Sequence, residues 1–368
     1  MRIFLMGASP AITETDFSAS QARLQATGGN SGNQVIAYGM LSTFRHSEVS
    51  WDYSVGPERV TEEYDAIVVA AANFLHSGFD LGGIADFIEK TKLPVVIAGL
   101  GAQSNTDNYR DLILMEGTER FVKVIADRAN TIGVRGAFTA EVLWHRGIKN
   151  IEIVGCPSYY MGGIDVAVAN KSLETDFSNT AMHCSRDVIR HSFSSEIMRK
   201  AVIRLYEMAY NINASFICQT ELQEIILAEC SDQELRAKAI SDLKNIFVDR
   251  ANDPEFWSWL SLNSRVFWSV PDWLCYLSKK DFVCGTRIHG TIMGLHSGTP
   301  SLCIYHDTRT KELCRFLGVP SIGIAELDNF GISDLREMVD LENYAWRRRE
   351  LIFSYRSFLE RNGLKASI

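Results

Sequence analysis

No stretch of this 368-residue sequence approaches the roughly 20 consecutive apolar residues that a membrane-spanning helix needs. The apolar run near the amino terminus, Arg2–Met6, is too short for the core of a signal peptide, and no small-residue cleavage pattern follows it. The sequence therefore predicts a cytoplasmic protein without a transmembrane segment. The run itself is typical of the first strand of a sheet.

Closely spaced cysteine pairs are missing as well. None of the eight cysteines falls in a Cys-x-x-Cys pair, and Cys218, Cys284 and Cys303 lie inside apolar, strand-like runs. The sequence also has no Asp-x-Asp motif, so we predict no metal site. We interpret the cysteines as buried free thiols in a reducing compartment.

An excess of positive charge is a third absence. The 37 Lys and Arg residues against 45 Asp and Glu residues give a net charge of −8, so we expect no nucleic-acid partner. The glycine-rich loop at 28–34 is not a Walker loop, because no Gly-Lys-Ser/Thr follows it, and it lacks the spacing of a dinucleotide fingerprint. A few arginines in a cleft can still make a local anion site.

The residues that are present follow the pattern of an α/β protein. With 46% hydrophobic and 22% charged side chains, the chain fits two packed domains of about 150–200 residues each. Short apolar runs alternate with helix-length amphipathic stretches, which is typical of parallel sheets with helical crossovers. The predicted strands of the first half are 2–6, 66–70, 94–98, 131–134 and 151–154.

The same pattern restarts after residue 158. The predicted strands of this part are 180–184, 214–218, 266–268, 282–284 and 301–305, and the predicted helices are 194–211, 233–248, 272–279, 291–297 and a tail at 335–362. We predict two Rossmann-like parallel-sheet domains that face each other across a cleft, a GT-B-like fold, over 1–165 and 166–340. A helix at 341–368 would cross back to the first domain. A single doubly wound domain with additions is the alternative.

The most informative stretch is the end of the apolar strand 282–284, where Gly285, Thr286, Arg287, His289 and Gly290 follow. Arginine offers a planar fork for phosphate or carboxylate, and histidine suits proton transfer near neutral pH. Because we expect an extended segment, Arg287 and His289 should point to the same side. A lone arginine or histidine is more often structural, but this clustering favours a functional site.

Three other groups also lie between a predicted strand and a predicted helix. Arg135 follows strand 131–134, and its alternative interpretation is a surface arginine that bonds a neighbouring carbonyl. His183 ends strand 180–184, where it is equally well explained as a core histidine. The small residues and amides of loop 28–34 suit an anionic or sugar ligand. In the group around strand 180–184 we predict that His183, Ser185 and Arg186 bind ligand. In loop 28–34 we predict the same of Asn30, Gly32 and Asn33.

Segments in all of these regions resemble, in order, the signatures of the polysaccharide pyruvyl transferase family. The amino-terminal glycine loop is matched by Asn30-x-Gly32-Asn33-Gln34. The central signature is matched by Val134-Arg135-Gly136-x-x-Thr139-Ala140 and Val154-Gly155-x-Pro157. The carboxyl-terminal signature is matched by Arg287-Ile-His289-Gly290, Gly298-Thr-Pro300 and His306-Asp307-x-Arg309-x-x-Glu312-Leu313.

The resemblance implies a pyruvyl ketal transfer from phosphoenolpyruvate to a sugar, with release of phosphate. The acceptor would be a polysaccharide or a glycan precursor, including a lipid-linked one. The implied roles are proton transfer for His289 and an anion clamp for Arg135 and Arg287, with Asp307 and Arg309 among the ligand-binding residues. Phosphoenolpyruvate is then a co-substrate in the second domain, and no other cofactor is implied. An oligomer is compatible with the sequence.

One departure from the family pattern stands out. Many members carry Gly-Asp-Pro where this chain has Gly155-Cys156-Pro157, so any role of that aspartate is open here. Two alternatives to the pyruvyl transferase remain. One is a nucleotide-sugar-dependent glycosyltransferase of GT-B-like fold, since fold alone does not separate donors. The other is a sugar-binding protein that keeps the anion pocket without turnover.

Overall fold

The first of two parallel sheets is built from the amino-terminal part of the chain. The computed structural model describes residues 1–12, 19–51, 54–104, 108–163, 177, 179–186 and 192–368. The strands of the first sheet are β1 (Arg2–Met6), β2 (Glu48–Ser50), β3 (Ala66–Ala70), β4 (Val95–Ala98), β5 (Ile132–Val134) and β6 (Ile151–Ile153). Their order is β2-β1-β3-β4, and a parallel bridge between Leu100 and Val134 joins β5 and β6 beyond β4.

The second sheet has six parallel strands in the order β12-β11-β10-β7-β8-β9. The strands are β7 (Thr180–His183), β8 (Ser215–Ile217), β9 (Ser264–Arg265), β10 (Phe282–Gly285), β11 (Ser301–Tyr305) and β12 (Ser321–Gly323). This is the strand order of a Rossmann fold, and the direction of winding reverses between β7 and β10. In the first sheet the corresponding reversal lies between β1 and β3. The fold is α/β with two Rossmann-like domains.

Fifteen α-helices within the described residues connect and cover the strands. The helices that accompany the first sheet are α1 (Ser20–Ala26), α2 (Gly32–Ser42), α3 (Pro57–Glu63), α4 (Gly82–Thr91), α5 (Glu116–Arg128) and α6 (Ala137–His145). Those that accompany the second are α7 (Ser195–Asn211), α8 (Leu222–Glu229), α9 (Gln233–Lys244), α10 (Pro254–Asn263), α11 (Val270–Leu277), α12 (Ile288–His296), α13 (Thr308–Leu317) and α14 (Ile332–Glu337). The last is α15 (Leu341–Arg361). None of the helices in this part of the chain is long and apolar enough to cross a membrane.

The central strands are apolar along their whole length because helices cover both faces of each sheet. Every residue of β3, β4 and β10 is buried. Helices such as α5 show instead the amphipathic pattern of a half-buried element, with Phe121 and Ile125 inward and charged residues outward. These two patterns explain why strands and helices alternate in the sequence.

Helix α15 packs against the first sheet. The ring of Tyr355 stacks on Tyr160 with their centres 3.9 Å apart, and Asn362, just after the helix, accepts a hydrogen bond from the Thr131 amide. Arg348 is buried inside this contact. Its guanidinium donates to the carbonyls of Tyr159, Met161 and Gly163. The arginine thus binds α15 to the segment that leaves the first sheet.

Most predicted elements match the structure within a few residues, but three differ. The strand expected at 266–268 is wrong: the strand there is β9, Ser264–Arg265, a two-residue edge strand that has almost no apolar pattern. The helix expected at 291–297 begins three residues earlier, at Ile288. The tail at 335–362 forms two helices, because Asp340 caps a new one. The predicted domain boundary at 165 falls outside the described residues.

Replacement of Arg348 should destabilise the fold. Arg348→Met keeps most of the side-chain volume but leaves three buried carbonyls without their donor, so we expect the free energy of unfolding to fall by about 2–5 kcal/mol. The measurement is urea denaturation. Arg349→Met, at the exposed neighbouring position, is the matched control and should change stability by less than about 0.5 kcal/mol. Equal stability of both variants would contradict this account of α15.

Candidate active site

The carboxyl edges of the two sheets face each other across a cavity of about 680 Å³. Each sheet contributes the loops at its reversal point. Gly7 after β1 and Asn73 after β3 line the cavity from the first sheet, and Ser185 after β7 and Thr286 after β10 line it from the second. Open α/β sheets bind ligands at these positions, because the loops diverge there and leave a crevice.

Arg287 and His289 both line the cavity, but the segment that carries them is not extended as expected. Arg287 is the residue before the first turn of α12, with φ −93° and ψ 112°, and Ile288 already begins the helix. His289 therefore projects from the first turn of a helix. The prediction was wrong because only two residues separate the end of β10 from α12.

His183 lies behind this turn and is buried, outside the wall of the cavity. Its Nδ1 accepts a hydrogen bond from the Arg287 amide at 3.1 Å. Gly285 has φ +150°, and a Cβ there would strike the His183 carbonyl, while a Cβ at Gly290 would lie 2.6 Å from the His183 ring. Burial, and then the charge of Arg287, lowers the pKa of His183 to about 3, so the ring is neutral. His183 and Gly290 shape the turn.

Arg287 is held by a buried carboxylate that the sequence analysis did not identify. Its Nη2 lies 2.6 Å from Oε1 of Glu221, its Nε donates to the Cys184 carbonyl at 3.2 Å, and Thr220 also accepts from it. Burial alone would raise the pKa of Glu221, but Arg287 and the Gln219 amide bring it down to about 2. Glu221 is therefore charged, and the pair is neutral overall.

Arg186 forms a second buried ion pair, away from the cavity wall. Its Nε and Nη2 donate to the two carboxylate oxygens of Glu224 at 3.1 and 2.9 Å. The Tyr206 hydroxyl donates to the same carboxylate at 2.6 Å. Although we predicted Arg186 as a ligand-binding residue, the structure gives this side chain contacts that support the second sheet.

Arg135 comes from the first sheet and lines the cavity opposite Arg287. It is 6% exposed, and it donates to the carbonyls of Gly99 (2.8 Å) and Ala71 (3.4 Å) and to Oδ1 of Asn73 (2.9 Å). The alternative interpretation was a surface arginine that bonds a neighbouring carbonyl. Two of the three hydrogen bonds of Arg135 are of this kind, but the side chain is buried and not at the surface. Among the described residues no carboxylate pairs with Arg135.

Arg309 lines the cavity as well and links the two domains. Its Nη2 lies 3.0 Å from Oδ2 of Asp307, and its Nη1 donates to Oε1 of Gln103 at 3.2 Å. Asp307 does not line the cavity: its Oδ1 accepts from the Thr310 amide at 2.7 Å and caps α13. Burial alone would raise the pKa of Asp307, but Arg309 and His306 lower it below its usual value.

The loop before α2 completes the wall. Asn30 and Asn33 line the cavity, and each is fixed by the loop itself: Asn30 Oδ1 accepts from the Gly32 amide and Asn33 Nδ2 donates to the Thr27 carbonyl, both at 2.9 Å. Gly32 lies beside His289 instead. A Cβ at Gly32 would lie 3.0 Å from His289 Nδ1 and 2.7 Å from Oε1 of Gln219.

Three helices, α2, α12 and α13, point their amino termini at the cavity. Asp307 caps α13 and the Asn30 loop bonds the start of α2. Helix α12 has Arg287 at its cap position, which offers no side-chain oxygen, and within the described ranges nothing accepts a hydrogen bond from the amides of Ile288 and His289. Free amides with the helix dipole behind them form a site for an anion.

His289 is held uncharged by its surroundings. Burial, followed by the charges of Arg135, Arg309 and Arg287, lowers its pKa to about 3. Its Nε2 lies 3.6 Å from Sγ of Cys156, which is fully buried. A neutral imidazole among three guanidinium groups gains a proton readily only when negative charge enters the cavity.

Cavity residues that the sequence analysis did not predict include His76, Gln219 and Thr220. His306 also lines the cavity and was named there only as part of the family signature. A signal for two of them was available, because Gln219 and Thr220 follow strand β8 and therefore lie at the carboxyl edge of the second sheet. His76 lies in a loop without a motif. No group of three potential metal ligands occurs within the described part of the chain, in which all eight cysteines are free thiols.

The cleft shared by the two Rossmann-like domains, with its arginines and the uncapped start of α12, has the chemistry of a site for a small anionic ligand. Comparison with known families gives a closer assignment. The sequence profile of the polysaccharide pyruvyl transferase family matches residues 30–308. The chain belongs to this family. No curated protein matches the sequence.

Solved structures with GT-B folds resemble the chain at low identity. UDP-bound MnaA of S. aureus is 11% identical over 99% of this chain and 98% of its own, with a TM-score of 0.43. The UDP-GlcNAc-bound UDP-GlcNAc 2-epimerase of Neisseria meningitidis is 11% identical over 98% and 100%, also at 0.43. Anabaena HepE with UDP and glucose is 10% identical over 98% and 96%, at 0.41.

Neutralisation of Glu221 should destabilise the second domain. Glu221→Gln leaves Arg287 buried without a counter-charge, so we expect a loss of about 3 kcal/mol in unfolding free energy at pH 7. The contribution of Glu221 is present above its unfolded pKa near 4.5 and is lost as the pH falls toward 2. The difference between Glu221→Gln and the wild type should therefore shrink below pH 4.5.

Denaturation with urea at several pH values measures this difference. Glu141→Gln, on the exposed face of α6, is the matched control and should stay within about 0.5 kcal/mol of the wild type at every pH. A Glu221→Gln protein as stable as the wild type at pH 7 would show that the ion pair contributes nothing.

Proposed function

We propose that the protein transfers a pyruvyl group from phosphoenolpyruvate to two hydroxyls of a sugar, forming a cyclic ketal and releasing phosphate. The single observation that supports this most is the uncapped first turn of α12, which lies in the same cavity wall as Arg135 and His289. Phosphoenolpyruvate carries a phosphate and a carboxylate. A protein that uses it as a donor needs two anion sites next to a proton donor.

The two anion sites are separate in the cavity. Arg135 carries a charge that no described carboxylate balances, and its fork suits a planar carboxylate or a phosphate. The free amides of α12 suit the other group, with Arg287 beside them. Charge-assisted hydrogen bonds of this kind contribute about 1.5–3 kcal/mol each. We assign the donor to the space between Arg135 and the start of α12.

Donor binding prepares the acid. In the free protein His289 is neutral, since burial and three arginines lower its pKa to about 3. A bound dianion offsets those positive charges and favours the imidazolium. His289 is then protonated while the donor, rather than bulk water, lies beside it.

The proposed reaction uses this proton at the methylene carbon C3 of the donor. The C2–C3 double bond takes the proton from His289, C3 becomes a methyl group, and C2 acquires oxocarbenium character. A sugar hydroxyl adds to C2, and its proton returns to the neutral imidazole. The C2–O bond to phosphate then breaks, a second hydroxyl closes the ring, and its proton leaves with the phosphate. General acid–base catalysis by one positioned group contributes typically about 10²–10⁴-fold.

Ligand-linked stability tests the donor. Phosphoenolpyruvate at 100 times its dissociation constant should add about 2.7 kcal/mol to the unfolding free energy, seen as a higher Tm, and UDP-glucose should add nothing. Arg135→Lys keeps the charge but loses the fork and should weaken donor binding about 10-fold or more. Arg199→Lys, on the exposed face of α7, should bind as the wild type does.

Phosphate release from phosphoenolpyruvate in the presence of sugar diols measures turnover. Stabilisation by UDP-glucose and not by phosphoenolpyruvate would replace this proposal with a nucleotide-sugar glycosyltransferase. Unchanged donor affinity in a folded Arg135→Lys protein would remove Arg135 from the donor site.

Gly32 tests the contact between the first-domain loop and His289. Its backbone is helical, so alanine fits the local conformation, but the new Cβ would displace the His289 ring and the Gln219 amide. We expect Gly32→Ala to keep its Tm within a few degrees and to lose turnover by about 10-fold or more, because small misplacements of a catalytic group are expensive. Gly83→Ala, at a helical glycine with open space, is the control for phosphate-release kinetics. Normal turnover in Gly32→Ala would separate the loop from catalysis.

A further inference from the structure

Cys156 lies beneath His289, on the side away from the cavity. Its side chain is fully buried and does not line the cavity wall. Its Sγ lies 3.6 Å from His289 Nε2, and the Ser158 hydroxyl donates to the same sulfur at 3.0 Å. Cys156 therefore acts on a ligand only through the histidine.

The two ring nitrogens of His289 have different surroundings. Nε2 faces the sulfur, whereas Nδ1 lies beside Gly32 and has no hydrogen-bond partner among the residues the structure describes. A neutral imidazole has one donor and one acceptor nitrogen. A thiol that already accepts from Ser158 keeps its own proton for Nε2. The imidazole proton is then on Nδ1, the nitrogen left for a ligand.

We propose that Cys156 is a positioning residue for His289. Its thiol donates to Nε2, fixes the Nδ1–H tautomer, and places an uncharged group where a carboxylate would favour the protonated imidazole. The consequence for turnover rests on the proposed function, whereas the tautomer and the protonation of the His289 imidazole do not.

Within the described part of the chain, the charged groups that act on His289 from the surrounding elements are cationic. They are Arg135 from the loop after β5, Arg309 from α13 and Arg287 from the start of α12. From helix α2, Gly32 lies beside the ring, and the carboxylates of Glu221 and Asp307 are paired with Arg287 and Arg309. With a thiol at position 156, no described residue brings a negative charge against the ring, and an anionic ligand supplies the first one. The basicity of His289 is thus set by the ligand.

Substitution at 156 separates charge from shape. Cys156→Asp puts a carboxylate against Nε2, so the pKa of His289 in the ligand-free protein should rise by about 2 units. Cys156→Asn has nearly the same shape without the charge and should give no such rise. Cys275→Asp, at an exposed cysteine on α11, is the control and should leave His289 unchanged.

The measurement is a pH titration of the imidazole signals by ¹⁵N-edited NMR, with His289→Gln to assign the resonance among the eight histidines. The wild type should show the Nδ1–H tautomer. Cys156→Ala should lose the fixed tautomer, and its kcat for phosphate release should fall about 10-fold with KM within about 3-fold. The low-pH limb of the rate profile should move with the pKa in Cys156→Asp.

An Nε2–H tautomer in the wild type, or a His289 titration in Cys156→Asp that matches Cys156→Asn, would overturn the proposal. If Cys156→Asp does not fold, the tautomer in the wild type and in Cys156→Ala decides alone. The same tautomer in both would be contrary to the proposal. If the wild type has no pyruvyl transfer activity, the proposed function fails, whereas the NMR result still stands or falls by itself.

Discussion

The buried ion pair between Arg287 and Glu221 determines the geometry of the cavity. It joins the loop after β8 to the turn after β10, and both side chains are withdrawn from water. Two charges taken out of water are stable only with close pairing and further hydrogen bonds, which Thr220 and the Cys184 carbonyl provide. With its guanidinium fixed in this way, Arg287 occupies the cap position of α12 and leaves the helix amides free.

The same pairing limits the positive charge of the cavity. Three of the described arginines line it; Arg287 and Arg309 are balanced by Glu221 and Asp307, whereas no described carboxylate pairs with Arg135. A cavity with three unbalanced guanidinium groups would bind a dianion more tightly by several kcal/mol, and each 1.4 kcal/mol slows release about tenfold if association is unchanged. The arrangement combines three hydrogen-bonding forks with a modest net charge. This suits the proposed reaction, in which phosphate has to leave the cavity.

The sequence predicted the sheets well because buried parallel strands carry a strong local signal. Strand β11 was predicted with the bounds that the structure has, while β9 was missed because two residues at a sheet edge carry no pattern. Arg135, Arg287 and His289 could be found because each follows a strand. Glu221 could not be assigned to Arg287, since 66 residues separate them and only the fold makes them neighbours. The start of α12 was misplaced because helix onset depends on the turn that His183 supports.

The attachment of α15 has a consequence for motion. The segment that leaves the first sheet at Tyr159 and the returning helix α15 are held together by Arg348. Tyr355 and Phe358 pack this contact against β1 and β5. Because three buried carbonyls would lose their donor if this contact opened, any relative motion of the two domains must leave α15 on the first sheet.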